Sequence, residues 1–246
     1  MKAVAIIPAR WGSSRFPGKV AARIAGQSMI EHVWRAARRC PRLREVIVAT
    51  DDRRVASLCE GFGATAVMTA ENHATGTDRI AEVASTLDDA LIVNIQGDEP
   101  LIESRVVDAA LDALEADPQA RMATVVHPLE AGALEDPNRV KVWIDSRNRA
   151  VDFARSVPAA ARSTRAHWQH VGLYVYPRPY LLEFVERPRS RTEIDRDLEQ
   201  WRALDQGHSI AVGKVEGWHS VPVDVPADVA RVEALLIRSS GVAEGS

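Results

Sequence analysis

Three short apolar runs constrain this chain most: AVAIIPA (3–9), EVIVATDD (45–52) and ALIVNIQGDEP (90–100). Each is rich in Val and Ile and each ends in small or acidic residues. Continuous runs of this kind fit strands buried on both faces of a parallel sheet. Helical rhythm fills the gaps. MIEHVWRAARRC (29–40) sets Met29, Ile30, Val33, Trp34 and Ala37 on one face, RRVASLCEGFG (53–63) closes on glycine, and TDRIAEVASTL (77–87) and SRVVDAALDALEA (104–116) follow suit. Strand and helix in alternation predict an α/β fold with a doubly wound, mostly parallel sheet.

The pattern changes after about residue 120. RMATVVHPL (121–129), RVKVWIDSRNRAVDFARS (139–156) and QHVGLYVYP (169–177) alternate as antiparallel strands do, the second as two strands around the turn SRNR. EIDRDLEQWRALDQG (193–207) reads as one helix, SIAVGKVEG and HSVPVDV as late strands, PADVARVEALLIRS as a final helix with proline near its start, and SGVAEGS (240–246) as a frayed tail. No long linker interrupts the 246 residues. A single domain spanning 1–246 is expected, with a mostly parallel half (1–120) and a smaller antiparallel half (121–238).

Bulk properties exclude several classes. The net charge is −3 and Lys and Arg are spread along the chain, which argues against a nucleic-acid surface. No apolar run reaches the roughly 20 residues needed to span a bilayer. MKAVAIIPAR is too soon interrupted to serve as a signal peptide, so a cytoplasmic location is expected. Cys40 and Cys59 lie in helical patterns without CxxC spacing and read as buried, reduced thiols.

The loop after the first run, ARWGSSRFPGK (9–19), raises a chemical question: three cations, Arg10, Arg15 and Lys19, sit among glycines and small hydroxyls. Ligands of open parallel sheets bind beyond the carboxyl ends of the strands. Backbone N–H groups around Gly12, Ser13 and Ser14 suit an anion nest, the arginines offer planar forks and Lys19 a point charge. The target would be a polyphosphate. Two familiar phosphate loops fail. Counted from Gly12, the Walker pattern meets Pro17 where it needs its second glycine, and Val20 follows Lys19 where it would need Ser or Thr, while GFGATA (61–66) follows a helix, not a strand, and reads as a helix terminus. Among later motifs, Thr77 is a candidate N-cap for a helix beginning at Asp78, a position that is itself anion-friendly. QGDEP (96–100) puts Asp98 at a strand end, where a hard divalent cation would reverse the repulsion between carboxylate and phosphate.

These residues resemble the nucleotidyltransferases that activate sugars, and most closely the 3-deoxy-manno-octulosonate (Kdo) cytidylyltransferases. That family opens with PARxxSxRxPGKxL and continues IxGxPMIxHVxxxA. Here Pro8, Ala9, Arg10, Ser13, Arg15, Pro17, Gly18 and Lys19 are followed by Ile24, Gly26, Met29, Ile30, His32 and Val33. The resemblance runs in order through VIVATDD, HATGTDRIAEV, VNIQGDEPLI, NRVKVW, ARSVP, HVGLY and LEQWRAL. It implies a nucleotide-diphospho-sugar transferase-like fold, a homodimer, CTP and an acidic small-molecule acceptor as partners, and Mg²⁺ as cofactor. It implies catalytic roles for Lys19, Arg10 and Asp98, and metal binding by Asp98 and Asp224. Nucleotide contacts would come from Ala9, Arg10, Ser13, Ser14, Arg15, Lys19, Thr75, Thr77, Arg79 and Gln96. Acceptor contacts would come from Gln96, Arg155, His170, Tyr174, Glu199 and Gln200.

Departures fall in the acceptor half. Arg196 replaces an acidic residue, the 157–167 loop carries Arg162 and Arg165 in place of the usual aromatic, and PVDVPAD stands for GVDTPED around Asp224, leaving its local hydrogen bonding open. Three readings follow: CTP-dependent activation of a Kdo-like acid, of a smaller or more anionic acid such as a phosphonate, or nucleotide binding by a non-catalytic regulator.

Overall fold

The structure is a computed structural model that describes residues 2–13, 15–130, 132–157 and 168–243, the side chains of 238–243 excepted. Ser14, Arg162 and Arg165 lie outside the described residues. Two compact units are present: 1–104 with 220–246, and 105–219.

The first unit holds β1 (Ala3–Pro8), a 3-10 turn (Lys19–Ala21), β2 (Arg23–Ile24), β3 (Gln27–Ser28), α1 (Met29–Arg38), β4 (Leu43–Thr50), α2 (Arg53–Gly61), β5 (Thr65–Met68), α3 (Gly76–Ser85) and β6 (Leu91–Asn94). The second runs from α4 (Ser104–Ala116) through β7 (Ala120–Pro128), β8 (Lys141–Ile144), β9 (Ala150–Ala154), β10 (Trp168–Pro177), α5 (Arg178–Glu186), α6 (Arg191–Arg196) and α7 (Trp201–Leu204) to β11 (Ser209–Lys214). The chain then returns to the first unit for α8 (Pro226–Ala243).

The three runs that framed the sequence are β1, β4 and β6. Ala3 through Ile7 are fully buried, as a strand covered on both faces must be, at about 1.5–3 kcal/mol for each large side chain removed from water. Strands of this unit lie in the order β6-β1-β4-β5, all parallel. The chain steps outward from β1 to β4 and β5, then crosses back to β6 on the other side of β1. That reversal makes the gap between the carboxyl ends of β1 and β6 a switch point, where an open α/β sheet leaves a crevice. α1 buries Met29, Ile30, Val33, Ala36 and Ala37, the stripe expected except that Trp34 is half-buried and donates its indole N–H to Val46 O at 3.2 Å. α2 ends at Gly61, and Gly63 (φ +82°) turns the chain into β5, so GFGATA is a helix terminus as expected. Cys40 and Cys59 are buried and outside any disulfide among the described residues, and burial pushes the Cys59 thiol up to about 12. No helix among the described residues is long and apolar enough to cross a membrane.

In the second unit β11 pairs parallel with β7, β7 antiparallel with β10, and β8 antiparallel with both β10 and β9. The SRNR turn between β8 and β9 forms as expected, with Asn148 in the left-handed region. α4 lies so close to β11 that a Cβ on Gly213 would stand 2.3 Å from Ala109 O.

Several expectations need correction. The helix expected over 193–207 is broken. Asp197 adopts a left-handed conformation (φ +52°), ending α6, and α7 begins at Trp201. The break turns Leu198 and Gln200 inward, and a buried bidentate pair, Arg202 to Glu193 at 2.6 and 2.9 Å, joins the two pieces. HSVPVDV forms no strand. Pro222 has no N–H to give, Val223 N–H bonds Asp98 O (2.9 Å), and the next two N–H groups go to the Asp228 carboxylate. Thr77 is not the cap of α3. Thr75 is, in a reciprocal capping box with Asp78, and Thr77 is buried in the first turn. The helix at the carboxyl terminus continues to Ala243, beyond the expected start of the tail. Sequence periodicity passed over β5, α5 and the β2–β3 hairpin, whose tight Ala25-Gly26 turn takes positive φ at both residues.

Two stability measurements follow. Gly213→Ala should lower the unfolding free energy by about 1–3 kcal/mol in denaturant titration, because the methyl meets backbone instead of a flexible side-chain end. Arg202→Met should cost about 3–5 kcal/mol by stranding the Glu193 carboxylate in the interior. In the parent protein burial works against that charge, but Arg202 prevails and holds the Glu193 carboxyl below its usual range. The pair's contribution is therefore complete above about pH 4.3 and is lost as pH falls further.

Candidate functional site

A cavity of about 310 Å³ opens at the β1/β6 switch point, lined by residues of the first unit alone. Four stretches build it. β1 ends at Pro8 and releases the loop that carries Arg10, Ser13, Arg15 and Lys19. The start of α3 brings His73 to Gly76 and Arg79. The turn after β6 brings Gln96, Gly97 and Asp98, and Asp224 arrives from the segment before α8. Glycine permits the closeness: a Cβ on Gly97 would stand 3.0 Å from Pro8 O, and one on Gly76 3.2 Å from Pro8 Cγ.

Lys19 is the centre of the charge arrangement. Gly18 (φ +70°) starts the 3-10 turn from which Lys19 projects. Its Nζ lies 2.6 Å from Asp98 Oδ2 and 3.5 Å from Asp224 Oδ1, and donates to Val223 O at 3.2 Å. Arg15 reaches the same Asp224 oxygen at 2.9 Å. Lys19 and Asp98 are 79 positions apart in sequence, and Arg15 and Asp224 are 209 apart. Arg10 is exposed and makes no hydrogen bond or ion pair among the described residues, so its guanidinium is uncommitted. Four cations against two carboxylates give the lining a positive balance suited to a polyanion.

Other residues singled out in the sequence are already spoken for. Arg79 is buried and donates to Asp51 Oδ2 (2.6 Å) and Thr69 Oγ1 (2.5 Å), so it braces the wall with its charge matched. The Thr75 hydroxyl accepts from Asp78 N–H, and Ala9 N–H from the loop's start bonds Ala49 O. Gln96 donates to Asn94 Oδ1 at 2.9 Å. Thr77 does not line the cavity. Asp224 is held despite the altered PVDVPAD sequence: Asp228, in the first turn of α8, accepts from the N–H groups of Asp224 and Val225 at 2.8 and 2.9 Å. His73, Ala74, Gly76 and Gly97 line the cavity and were not singled out. His73 belongs to the HATGTDR motif, but its imidazole pairs with Glu82, a contact no local spacing rule announces.

The candidate acceptor residues lie in the second unit, except Gln96. A bulge at Gly172–Leu173 interrupts the β10–β7 ladder, and the Thr124 hydroxyl fills it, within 2.8 Å of Leu173 O and 3.3 Å of Val171 O. His170 Nε2 lies 2.9 Å from Thr124 Oγ1, and the His170 and Tyr174 rings are 5.3 Å apart. Burial pushes the His170 imidazole down to about 3, so it is neutral at physiological pH, and burial together with Glu199 pushes the Tyr174 phenol up. Tyr174 O–H donates to Gln200 Oε1 at 3.2 Å, while buried Gln200 Nε2 has no hydrogen-bond partner among the described residues. Glu199 sits 3.4 Å from Arg202, and Arg155 donates to Asp197 O at 2.9 Å. His170, Tyr174 and Gln200 thus form one network, and Arg155 and Glu199 are tied to neighbours on either side of the α6–α7 break. Arg196, the departure from the family pattern, is occupied: it pairs with Asp152 at 2.6 Å and stacks on Trp201 at 4.5 Å.

Comparison with known proteins accords with this geometry. A family model described as cytidylyltransferase matches residues 4–210. The 3-deoxy-manno-octulosonate cytidylyltransferase of Myxococcus xanthus is 45% identical, covering 98% of both chains, and that of Syntrophotalea carbinolica is 44% identical, covering 96% of this chain and 99% of the relative. Among solved structures, a CMP:2-keto-3-deoxy-manno-octonic acid synthetase complexed with CTP superimposes with a TM-score of 0.90 at 39% identity, over 97% of this chain and all of that one. A 4-diphosphocytidyl-2C-methyl-D-erythritol synthase from Anaerococcus prevotii shares the fold, with a TM-score of 0.64 at 14% identity over 96% and 98% of the two chains. A basic loop meets two carboxylates at the switch point, and the similarity runs the length of the chain: the protein belongs to the cytidylyltransferase family, among the 3-deoxy-manno-octulosonate cytidylyltransferases.

Proposed function

We propose that this cytidylyltransferase couples CTP to Kdo, giving CMP-Kdo and pyrophosphate. The observation that carries the reading is the meeting of Lys19 with Asp98 and Asp224 at the mouth of the β1/β6 crevice. An acceptor hydroxyl, the anomeric one of Kdo, attacks the α-phosphorus of CTP. The new O–P bond forms as the bond to pyrophosphate breaks, and the hydroxyl proton passes to water. Arg10, Arg15 and Lys19 bind the triphosphate and stabilise the charge that grows on the transition state and leaving group. Ser13 and the backbone of the loop orient the phosphates.

Mg²⁺ fits the donor set. Asp98 and Asp224 are two hard oxygen ligands within reach of one ammonium, and Mg²⁺ is commonly held by one or two carboxylates with substrate phosphate and water completing its shell. Among the described residues no group of three or more His, Cys, Asp and Glu forms a complete protein cage. When bound, the ion would lower the pKa of the acceptor hydroxyl and polarise the α-phosphate.

The second-unit residues Arg155, His170, Tyr174, Glu199 and Gln200 serve Kdo recognition. Neutral His170 and the amide nitrogen of Gln200 suit sugar hydroxyls, and Arg155 suits a carboxylate. The ion pair and stacking of Arg196 speak against its serving a more anionic acceptor such as a phosphonate.

Two assays test the reading. Pyrophosphate release from CTP should occur with Kdo and not with small phosphonates; release with a phosphonate alone would favour the other acceptor class. Lys19→Ala should lower kcat roughly 10²- to 10³-fold, as loss of a charge-stabilising donor does elsewhere. A variant with unaltered kcat would remove Lys19 from the mechanism.

A further inference from the structure

Trp11 stands in the middle of the phosphate-directed loop, yet it does not line the cavity. Its carbonyl accepts the Gly18 N–H at 2.9 Å, cinching the loop closed one residue before Lys19. Its indole packs directly on Gly18: a Cβ there would meet Trp11 Cζ2 at 3.0 Å and Cε2 at 3.2 Å. The Arg54 guanidinium carbon lies 4.0 Å from the indole centroid, well inside the range for attraction between a cation and an aromatic face. Arg54 is itself restrained. Asp52, the N-cap of α2, accepts from Arg54 Nε at 2.9 Å and from its terminal nitrogen at 2.6 Å.

An unbroken series of contacts therefore runs from the start of α2 through Asp52, Arg54, Trp11 and Gly18 to Lys19 and Asp98. Lys19 has a flexible four-carbon stem, and its ammonium reaches a defined point only if its backbone is held. We propose that Trp11 is a positioning residue for Lys19. Gripped by Arg54 and Gly18, the indole fixes the loop so that Lys19 Nζ meets the triphosphate at the reacting geometry. This rests on the role assigned to Lys19 above.

Arg54 is largely exposed, and its change leaves the core alone. Trp11→Leu keeps apolar bulk but loses the aromatic face, whereas Trp11→Phe keeps a face. Trp11→Leu and Arg54→Met should each lower kcat/KM for CTP roughly 10-fold, the scale of loss from a small misplacement of a reacting group, with KM for Kdo unchanged. Trp11→Phe should restore most of the loss. Because Trp11 acts through Lys19, Trp11→Leu placed on Lys19→Ala should add less than about twofold. Circular dichroism and thermal midpoints of all variants report folding separately. Wild-type kinetics in Trp11→Leu, or losses that multiply fully in the double variant, would overturn the positioning role while leaving the role of Lys19 intact. Normal turnover by Lys19→Ala alone would overturn both.

Discussion

The approach of two chain turns to Pro8 is the constraint on which the site depends. Gly97 after β6 and Gly76 at the start of α3 both pack against the end of β1 at distances that a side chain would not tolerate without movement. That packing brings Asp98 and the α3 N-terminus to the loop of β1, and it sits where the order of parallel strands reverses. Without it, Lys19 would have no carboxylate partner from the β6 turn, and the basic loop would be a solvated turn.

Charge is distributed economically around this point. Arg79 is matched by Asp51 and shapes the wall, Lys19 and Arg15 are matched by Asp98 and Asp224, and Arg10 has no partner among the described residues. A triphosphate accompanied by a divalent cation brings both signs together, so it can take over the partners of Lys19 and Arg15 without stranding either set. In the second unit the solution is different. Burial keeps His170 neutral and Tyr174 protonated, and the bulge sealed by Thr124 holds them beside Gln200, giving a hydrogen-bonding surface with little net charge.

Much of this was legible before any coordinate. The periodicities over β1, β4, α1, α2 and α4 are local properties, and the structure agrees with them to within a few residues. The PARWGSSRFPGK loop stood out because three cations and flexible residues follow a buried strand. Other features misled for physical reasons. Asp197 sits in a stretch with helical rhythm, and only the buried Glu193–Arg202 pair and the inward turn of Leu198 make a left-handed break favourable there. HSVPVDV has the composition of a strand, but its N–H groups go to Asp98 and Asp228 in place of a neighbouring strand. Thr77 yielded the cap to Thr75 because Asp78 could return the bond.

The sequence by itself determined the principal elements, β1, β4 and β6 with α1 to α4, the place of the basic loop after β1, and which family the motifs resemble. Those are matters of residue type at short spacing, and local sterics and hydrophobicity settle them. Only the tertiary structure decided that Lys19 meets Asp98 and Asp224, that Arg79 and Arg196 are spent on ion pairs, and that Trp11 is held between Arg54 and Gly18. Such contacts join residues tens to hundreds of positions apart, and no local pattern encodes which distant charge will arrive when the strands have taken their order.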